Sequence, residues 1–254
     1  MDAAIARQWI ERWERQQETG QAEREERFTA LVDVVQAATG RADPLVLDVG
    51  CGPGSLGVRL LDRLPGAAVV GIDADPVTLA LGRAAYGDKI TFVDADLRVP
   101  DWPSLLPVDR PVDAAVSTTA LHWLTEDVLR AFYRALATVL RPGAVFLNGD
   151  HLREDPKVAP ELARLGRTLN DLEDRRRFPD GYDETWTGWW DAVAADPVLG
   201  PLASVRSALN VGADHGASGA GLLSAHVEAL RAAGFAEVGT LWQHGASRLL
   251  CAIR

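Results

Sequence analysis

The sequence predicts an α/β fold built on a doubly wound, mostly parallel sheet, and three observations predict it. The run Leu45-Val46-Leu47-Asp48-Val49 is short and apolar, as strands buried on both faces of a parallel sheet are. It leads directly into Gly50-Cys51-Gly52-Pro53-Gly54, where glycines permit a sharp turn and a close backbone approach to a ligand. Strand-like runs then alternate with amphipathic helical patterns down the chain, which calls for parallel pairing with right-handed crossovers. Strand, glycine turn and helix together make the nucleotide-binding entrance of an open sheet.

The bulk properties set bounds. A chain of 254 residues with 47% apolar content can fill one sizeable α/β domain with an inserted subdomain. A net charge of −10 and an isoelectric point near 5.0 argue against wrapping nucleic acid. Arg175 to Arg177 are flanked by Glu173 and Asp174 and read as a solvated helix face. The first fifteen residues are charged and lack a signal-peptide apolar region, and no apolar run is long enough to cross a bilayer. Cys51 and Cys251 point to neither a disulfide framework nor a metal cluster. A cytoplasmic protein with no membrane or nucleic-acid partner is the expectation.

Residues 1–40 are expected to form an N-terminal helical cap of two helices divided near Gly20. In the first, Ile5, Trp9 and Trp13 fall on one face. They either pack on the domain or form a flap whose aromatics close over a ligand. In the second, Phe28, Leu31, Val32 and Val35 form the buried stripe, and Gly40 sits where a helix is stopped. After the opening strand, Pro53 fits the first turn of a helix carrying Leu56, Leu60, Leu61 and Leu64. A second strand over Ala67–Ile72 ends at Asp73, and Asp75-Pro76 caps and starts the next helix. A third strand, Ile90–Val93, runs into Asp94-Ala95-Asp96-Leu97, and a proline-rich loop crosses to a fourth, Val112–Val116. Ser117 to Leu124 follows, then a helix showing Val128, Phe132, Leu136 and Val139 to the sheet. A fifth strand, Ala144–Leu147, comes after Arg141-Pro142-Gly143 and ends near His151.

From 152 to 220 the alternation stops, and this stretch is expected to be a helical lid inserted into a domain made of 41–151 and 221–254. It holds a helix near Glu161–Leu172 and an aromatic block of Tyr182, Trp186, Trp189 and Trp190, in which Tyr182, Trp186 and Trp190 have helical spacing. A Gly/Ala/Ser stretch from Gly212 to Gly221 reads as flexible. The pattern resumes with a helix bearing Leu222, Leu223, Val227 and Leu230. Two strands joined by Gln243–Ser247 then make an antiparallel hairpin at the sheet edge.

Gly52-x-Gly54-x-x-Gly57 with Asp73 about 20 residues beyond also satisfies the dinucleotide pattern. Asp48 is what argues otherwise, because a carboxylate beside the turn favours a cationic ligand over a pyrophosphate. Leu45 to Gly54, Asp73, Ala95-Asp96-Leu97, Arg141-Pro142-Gly143 and the terminal hairpin, in this order, together resemble the class I S-adenosylmethionine-dependent methyltransferases of small-molecule type. The resemblance implies a Rossmann-like seven-stranded sheet with the last strand antiparallel, and S-adenosyl-L-methionine as cofactor. It places Gly50 and Gly52 against the methionine part and Asp48 toward the cationic end. Asp73 would accept from the ribose hydroxyls, with a carboxylate's two oxygens matched to a diol. Ala74, Asp96 and Leu97 would meet the adenine, and Ser117 would offer its backbone to the methionine amine. Asp96 has a competing use as a turn cap.

Methyl transfer needs alignment and exclusion of water, and a base only where the acceptor is protonated. His122 and His151, after the fourth and fifth strands, are the candidate catalytic groups. His215 is a candidate acceptor contact, and His226 and His244 are assigned to surface or hairpin roles. Leu121-His122-Trp123-Leu124 also resembles a segment of plant-type carboxyl methyltransferases, which implies that Trp123 contacts a carboxylate; packing under the next helix is the alternative. Trp9, Tyr182 and Trp186 are the remaining acceptor-contact candidates, as rings of a lid around a small aromatic or carboxylate-bearing metabolite. Such an aromatic surface also suits a homodimer interface. The other functions weighed are cyclisation or aminopropyl transfer with the same cofactor, a catalytically silent binding scaffold, and an NAD-dependent oxidoreductase.

Overall fold

The computed structural model describes residues 1–18, 23–211 and 219–254. Seven strands form one sheet: β1 (Leu45–Val49), β2 (Ala68–Asp73), β3 (Ile90–Asp94), β4 (Val112–Thr118), β5 (Leu140–His151), β6 (Glu237–His244) and β7 (Ser247–Ile253). Their order is β3-β2-β1-β4-β5-β7-β6. β1 to β5 are parallel, and β7 inserts antiparallel between β5 and β6. The expected doubly wound sheet with an antiparallel last strand is the observed one. All five residues of β1 are buried, as strands covered on both faces require.

One face of the sheet carries α2 (Arg24–Thr39) and α3 (Ser55–Arg63); Phe28, Leu31, Val32, Val35, Leu56 and Leu60 pack there on Val46, Val116 and Leu147. Gly40 ends α2 with φ 58°, the left-handed conformation a Cβ disfavours. The other face carries α5 (Glu126–Val139) and α9 (Leu223–Ala232), with Phe132, Leu136 and Leu230 in the core. Between β3 and β4 the proline-rich segment folds a short 3-10 turn, Trp102–Leu105, that buries Trp102 beside Phe132.

A third core forms above the sheet. α1 (Ala3–Glu18) brings Ala6 and Ile10 against Val77, Leu81 and Ala85 of α4 (Pro76–Tyr86), and Trp189 and Val193 of α7 (Trp186–Ala195) close it. α8 (Gly200–Ala208) packs on α4 and α7, while α6 (Pro160–Arg177) lies by the β6–β7 hairpin. The two helices of 1–40 therefore have different duties: α2 belongs to the sheet sandwich and α1 to the roof.

Several details differ from the sequence reading. Ile5 is exposed, because the buried stripe of α1 runs through Ala6 and Ile10. Pro53 lies before the cap of α3 in the turn, and Gly54 is the cap, with φ 90°. β4 and β5 both extend past their apolar runs to reach Thr118 and His151, because sheet pairing continues through the buried polar residues Ser117, Asn148 and Asp150. Gly20 and most of the Gly212–Gly221 stretch lie outside the described residues. Among the described residues no helix is long and apolar enough to cross a membrane.

Candidate active site

A cavity of about 590 Å³ opens at the carboxyl ends of β1 to β5, the edge where open α/β sheets take ligands. Its floor is the set of strand-to-helix turns, and its roof comes from α1, α7 and the end of α8.

At the β1 end the backbone shapes the wall. Gly50 has φ 64°, and a Cβ there would stand 2.3 Å from that of Ala120, so glycine is obligatory at this point. Asp73 accepts from the Gly52 N–H at 2.7 Å and the Asp75 N–H at 2.9 Å, which fixes its carboxylate between two turns. Burial, and then the charge of Asp75, push its pKa up to about 6. Asp75 caps α4 by accepting from Val77 and Thr78, and its other oxygen takes the Arg206 Nε–H at 2.6 Å.

Asp48 lies under the glycine turn, fully enclosed. Neither carboxylate oxygen makes a hydrogen bond of ordinary geometry; only the Gly57 backbone favours its charge. Burial, then Asp73, raise it to about 7. Asp48 does not line the cavity; the groups that do, the Gly50–Gly52 turn and the Asp73 carboxylate, are a cradle and an acceptor that fit a sulfonium nucleoside, with Asp48 as a negative charge beneath them.

At the β3 end, Asp96 is engaged by Arg98, which reaches both of its oxygens at 2.7–3.0 Å. Burial opposes the charge, but Arg98 prevails and the carboxyl sits below its ordinary range. Arg98 also donates to the carbonyls of Leu209 and Asn210 just beyond α8. With Arg206 on Asp75, one ion pair and two hydrogen bonds to backbone carbonyls thus tie α8 and its end to the floor.

At the β4–β5 end the wall is made of side chains. His122 occupies a 3-10 turn, Leu121–Trp123, and its Nδ1 lies 2.9 Å and 3.0 Å from the two oxygens of Asp150. Asp150, on β5, is wholly buried and also accepts from the His151 N–H. Burial alone would raise Asp150, yet His122, His151 and Arg27 hold it far below the usual carboxylate range. Burial likewise works against a charged His122, and Asp150 outweighs it, so His122 titrates above the ordinary histidine value. In the neutral form, with Nδ1–H given to Asp150, Nε2 carries the lone pair. His151 is pushed by burial down to about 4 and is neutral near pH 7.

Below this pair lies Arg27, fully buried on α2. It donates to Ser247 Oγ at 2.9 Å and Thr118 Oγ1 at 3.2 Å, and burial lowers it to about 10, opposed by Asp150. Sequence reasoning passed over Arg27, although it falls on the helical stripe of Phe28 and Leu31, where a solvated arginine does not belong. It also missed Thr119, a cavity residue held at φ 50° and donating its N–H to Gly149; no residue pattern marks that strain.

The roof is a tryptophan cluster. Trp123 stacks on Trp186 at 5.9 Å, Trp186 meets Trp13 at 5.7 Å, and Trp13 meets Trp189 edge-on at 4.9 Å. The cavity thus brings together Gly50, Gly52, Asp73, Ala74, Asp96 and Leu97 with His122, Trp123, His151 and Trp186. Others of the expected residues lie elsewhere. Trp9 is not in the wall but packs against Trp189, and Trp13, one turn further, takes the wall position. Tyr182 precedes α7, so its spacing to Trp186 is not helical; it is 43% exposed and rests on Phe178. Ser117 is buried below the floor with its hydroxyl on the Val49 carbonyl. His226 is no surface group: it is buried between Tyr133 and the Ala220 carbonyl because it lies on the inner face of α9. His244 sits on the hairpin, 3.0 Å from Glu173. His215 lies outside the described residues.

Known proteins bear on this geometry. Residues 46–143 match the family described as "Methyltransferase domain". An uncharacterized methyltransferase of Geobacillus sp. (strain WCH70) is 31% identical over 121 residues, 47% of this chain and 53% of that protein. A trans-aconitate 2-methyltransferase of Escherichia coli O139:H28 is 33% identical over 100 residues, 39% of this chain and 36% of that protein. The matches therefore span about half or less of these relatives. Among solved structures, PigF with SAH aligns over 83% of this chain and 50% of its own, with TM-score 0.51 at 20% identity. The CurJ carbon methyltransferase aligns over 89% and 53%, with TM-score 0.55 at 15% identity. The resemblance carried by the sequence motifs is borne out at the level of domain and fold.

Proposed function

We propose that this chain, which has the domain and fold of the class I S-adenosylmethionine-dependent methyltransferases, methylates a small acceptor whose nucleophilic atom must first lose a proton. A phenolic hydroxyl, or an ammonium group, suits the tryptophan-lined end of the cavity. The observation that carries the reading is the His122–Asp150 pair, whose imidazole stands in the same cavity wall as Gly50, Gly52 and Asp73.

S-adenosylmethionine supplies a methyl group already activated by a cationic sulfur. Gly50 and Gly52 would admit its methionine part, with Asp48 beneath and the Ser117 backbone alongside. Asp73 would take the ribose hydroxyls, and Ala74, Asp96 and Leu97 the adenine. The chain's own chemistry then lies with His122. Its Nε2 accepts the acceptor's proton while Asp150 fixes the tautomer and stabilises the imidazolium that results. Trp13, Trp123 and Trp186 exclude water and press a flat acceptor into line, and neutral His151 offers a further polar contact.

A second reading, a carboxylate-bearing acceptor, is favoured by the likeness to the trans-aconitate 2-methyltransferase and by Trp123 at the His-Trp step. A carboxylate is already ionised and needs no base, so pH separates the two. The test follows label from the methyl group of S-adenosylmethionine into a pool of small aromatic and carboxylic acceptors. Under the first reading kcat/KM rises with pH through a pKa above the usual histidine value, and His122→Gln removes both rate and pH dependence. A rate flat in pH and indifferent to His122 supports the carboxylate. Binding of the demethylated nucleoside with no label transfer to any acceptor overturns both.

A further inference from the structure

Leu162, Leu165, Leu169 and Leu172 of α6 are spaced three, four and three residues apart, the three-four alternation of a heptad repeat. That is the period of a helix that meets another helix along its length rather than one laid on a sheet. The structure turns this stripe outward. α6 rests on its own chain through the next position along each turn, with Ala163 and Glu173 buried and Gly166 and Asn170 half-buried. The four leucines remain 61%, 51%, 43% and 48% exposed. Large apolar side chains in an unbroken row on a water-facing helix mark a contact surface.

We propose that this face binds the same face of a second copy of the chain, with the two α6 helices antiparallel about a two-fold axis near residue 167. In that register Leu162 meets the partner's Leu172, and Leu165 meets the partner's Leu169. The charges choose this orientation. Glu161 and Arg175 flank the seam on one side, and the antiparallel arrangement sets each Glu161 beside the partner's Arg175, twice by symmetry. A parallel pairing would instead put Glu161 beside Gly166 and Thr168 beside Glu173, with no complementary pair. Arg175 makes no ion pair among the described residues, while Glu161 is 2.9 Å from Arg164 and would be shared.

The 18-residue helix is about 27 Å long, so the interface is at the small end of the range, among weak and transient contacts. This inference is independent of the reaction proposed above. The test is sedimentation velocity of the full chain from about 1 to about 100 µM. The mass is expected to rise from one copy to two across that range. Leu165→Glu with Leu169→Glu keeps it at one copy throughout, with an unchanged melting temperature and unchanged nucleoside binding. Glu161→Arg and Arg175→Glu alone each weaken the dimer about 3- to 10-fold, as two exposed ion pairs allow, and together they restore it. These charge variants are on the surface and keep the test open should the leucine variant fail to fold. A single copy at every concentration, or an undiminished dimer in the leucine variant, overturns the proposal. So does a leucine variant that loses acceptor turnover with no change of mass, because the face would then serve the chain's own roof.

Discussion

At the β1–β3 end of the cavity the walls are backbone turns and carboxylates set by consecutive strand-to-helix junctions, each a few residues long. At the β4–β5 end they are side chains gathered from far apart, His122 before α5 and a tryptophan from each of α1 and α7, held from beneath by Asp150 on β5, Arg27 on α2 and Ser247 on β7. The first end is rigid because glycine geometry and backbone hydrogen bonds leave it no alternative. The second holds its shape only while a buried charge network and an aromatic cluster remain intact. A ligand common to many proteins suits the first construction, and a ligand peculiar to one suits the second, since side chains can be exchanged while the fold stays.

Breaking one end should leave the other working. The largest effect is expected from His122→Ala, which lowers kcat about 10²- to 10⁴-fold while calorimetry gives an unchanged Kd for S-adenosylhomocysteine; loss of both would mean that the two ends are not separable. Asp73→Ala does the reverse, weakening the nucleoside about 100-fold, a loss on the scale of charge-assisted hydrogen bonds. Trp186→Ala is expected to raise the acceptor KM about 10-fold, a scale set by the loss of one buried aromatic contact, with the nucleoside Kd unmoved. Equal losses in both would make Trp186 structural.

The smallest effect sharpens the comparison through pH. Asp48 holds its proton more tightly folded than unfolded, so between the ordinary aspartate range and its folded value of about 7 the native state binds the extra proton. Stability therefore falls as pH rises through that window. Asp48→Asn removes Asp48's share of the dependence and leaves that of Asp73, raised to about 6: its stability should match the parent near pH 4 and exceed it above pH 7, by roughly 1–2 kcal/mol of unfolding free energy after the unpaired amide is counted. A difference that does not grow with pH would place Asp48's proton elsewhere.

What the sequence made legible follows the same division. β1, the glycine turn, Asp73 and the Asp75 cap could be read because each is specified within a few residues. The antiparallel hairpin was legible for that reason too. Arg27 was not, because its partners Thr118 and Ser247 lie 91 and 220 residues away. Its place on an apolar stripe was the one local sign. Trp9 and Trp13 share a helix face, and only the crossing of α1 over α4 decides which of them faces the cavity. Tyr182 misled because helical spacing was counted across a helix start.

The chain of touching indoles from Trp123 through Trp186 and Trp13 to Trp189 has a practical consequence. Indoles this close exchange excitation, so light absorbed anywhere in the roof is emitted from its lowest-energy member. A molecule entering beneath Trp123 alters that emission without any attached dye, and the protein is its own optical gauge of occupancy.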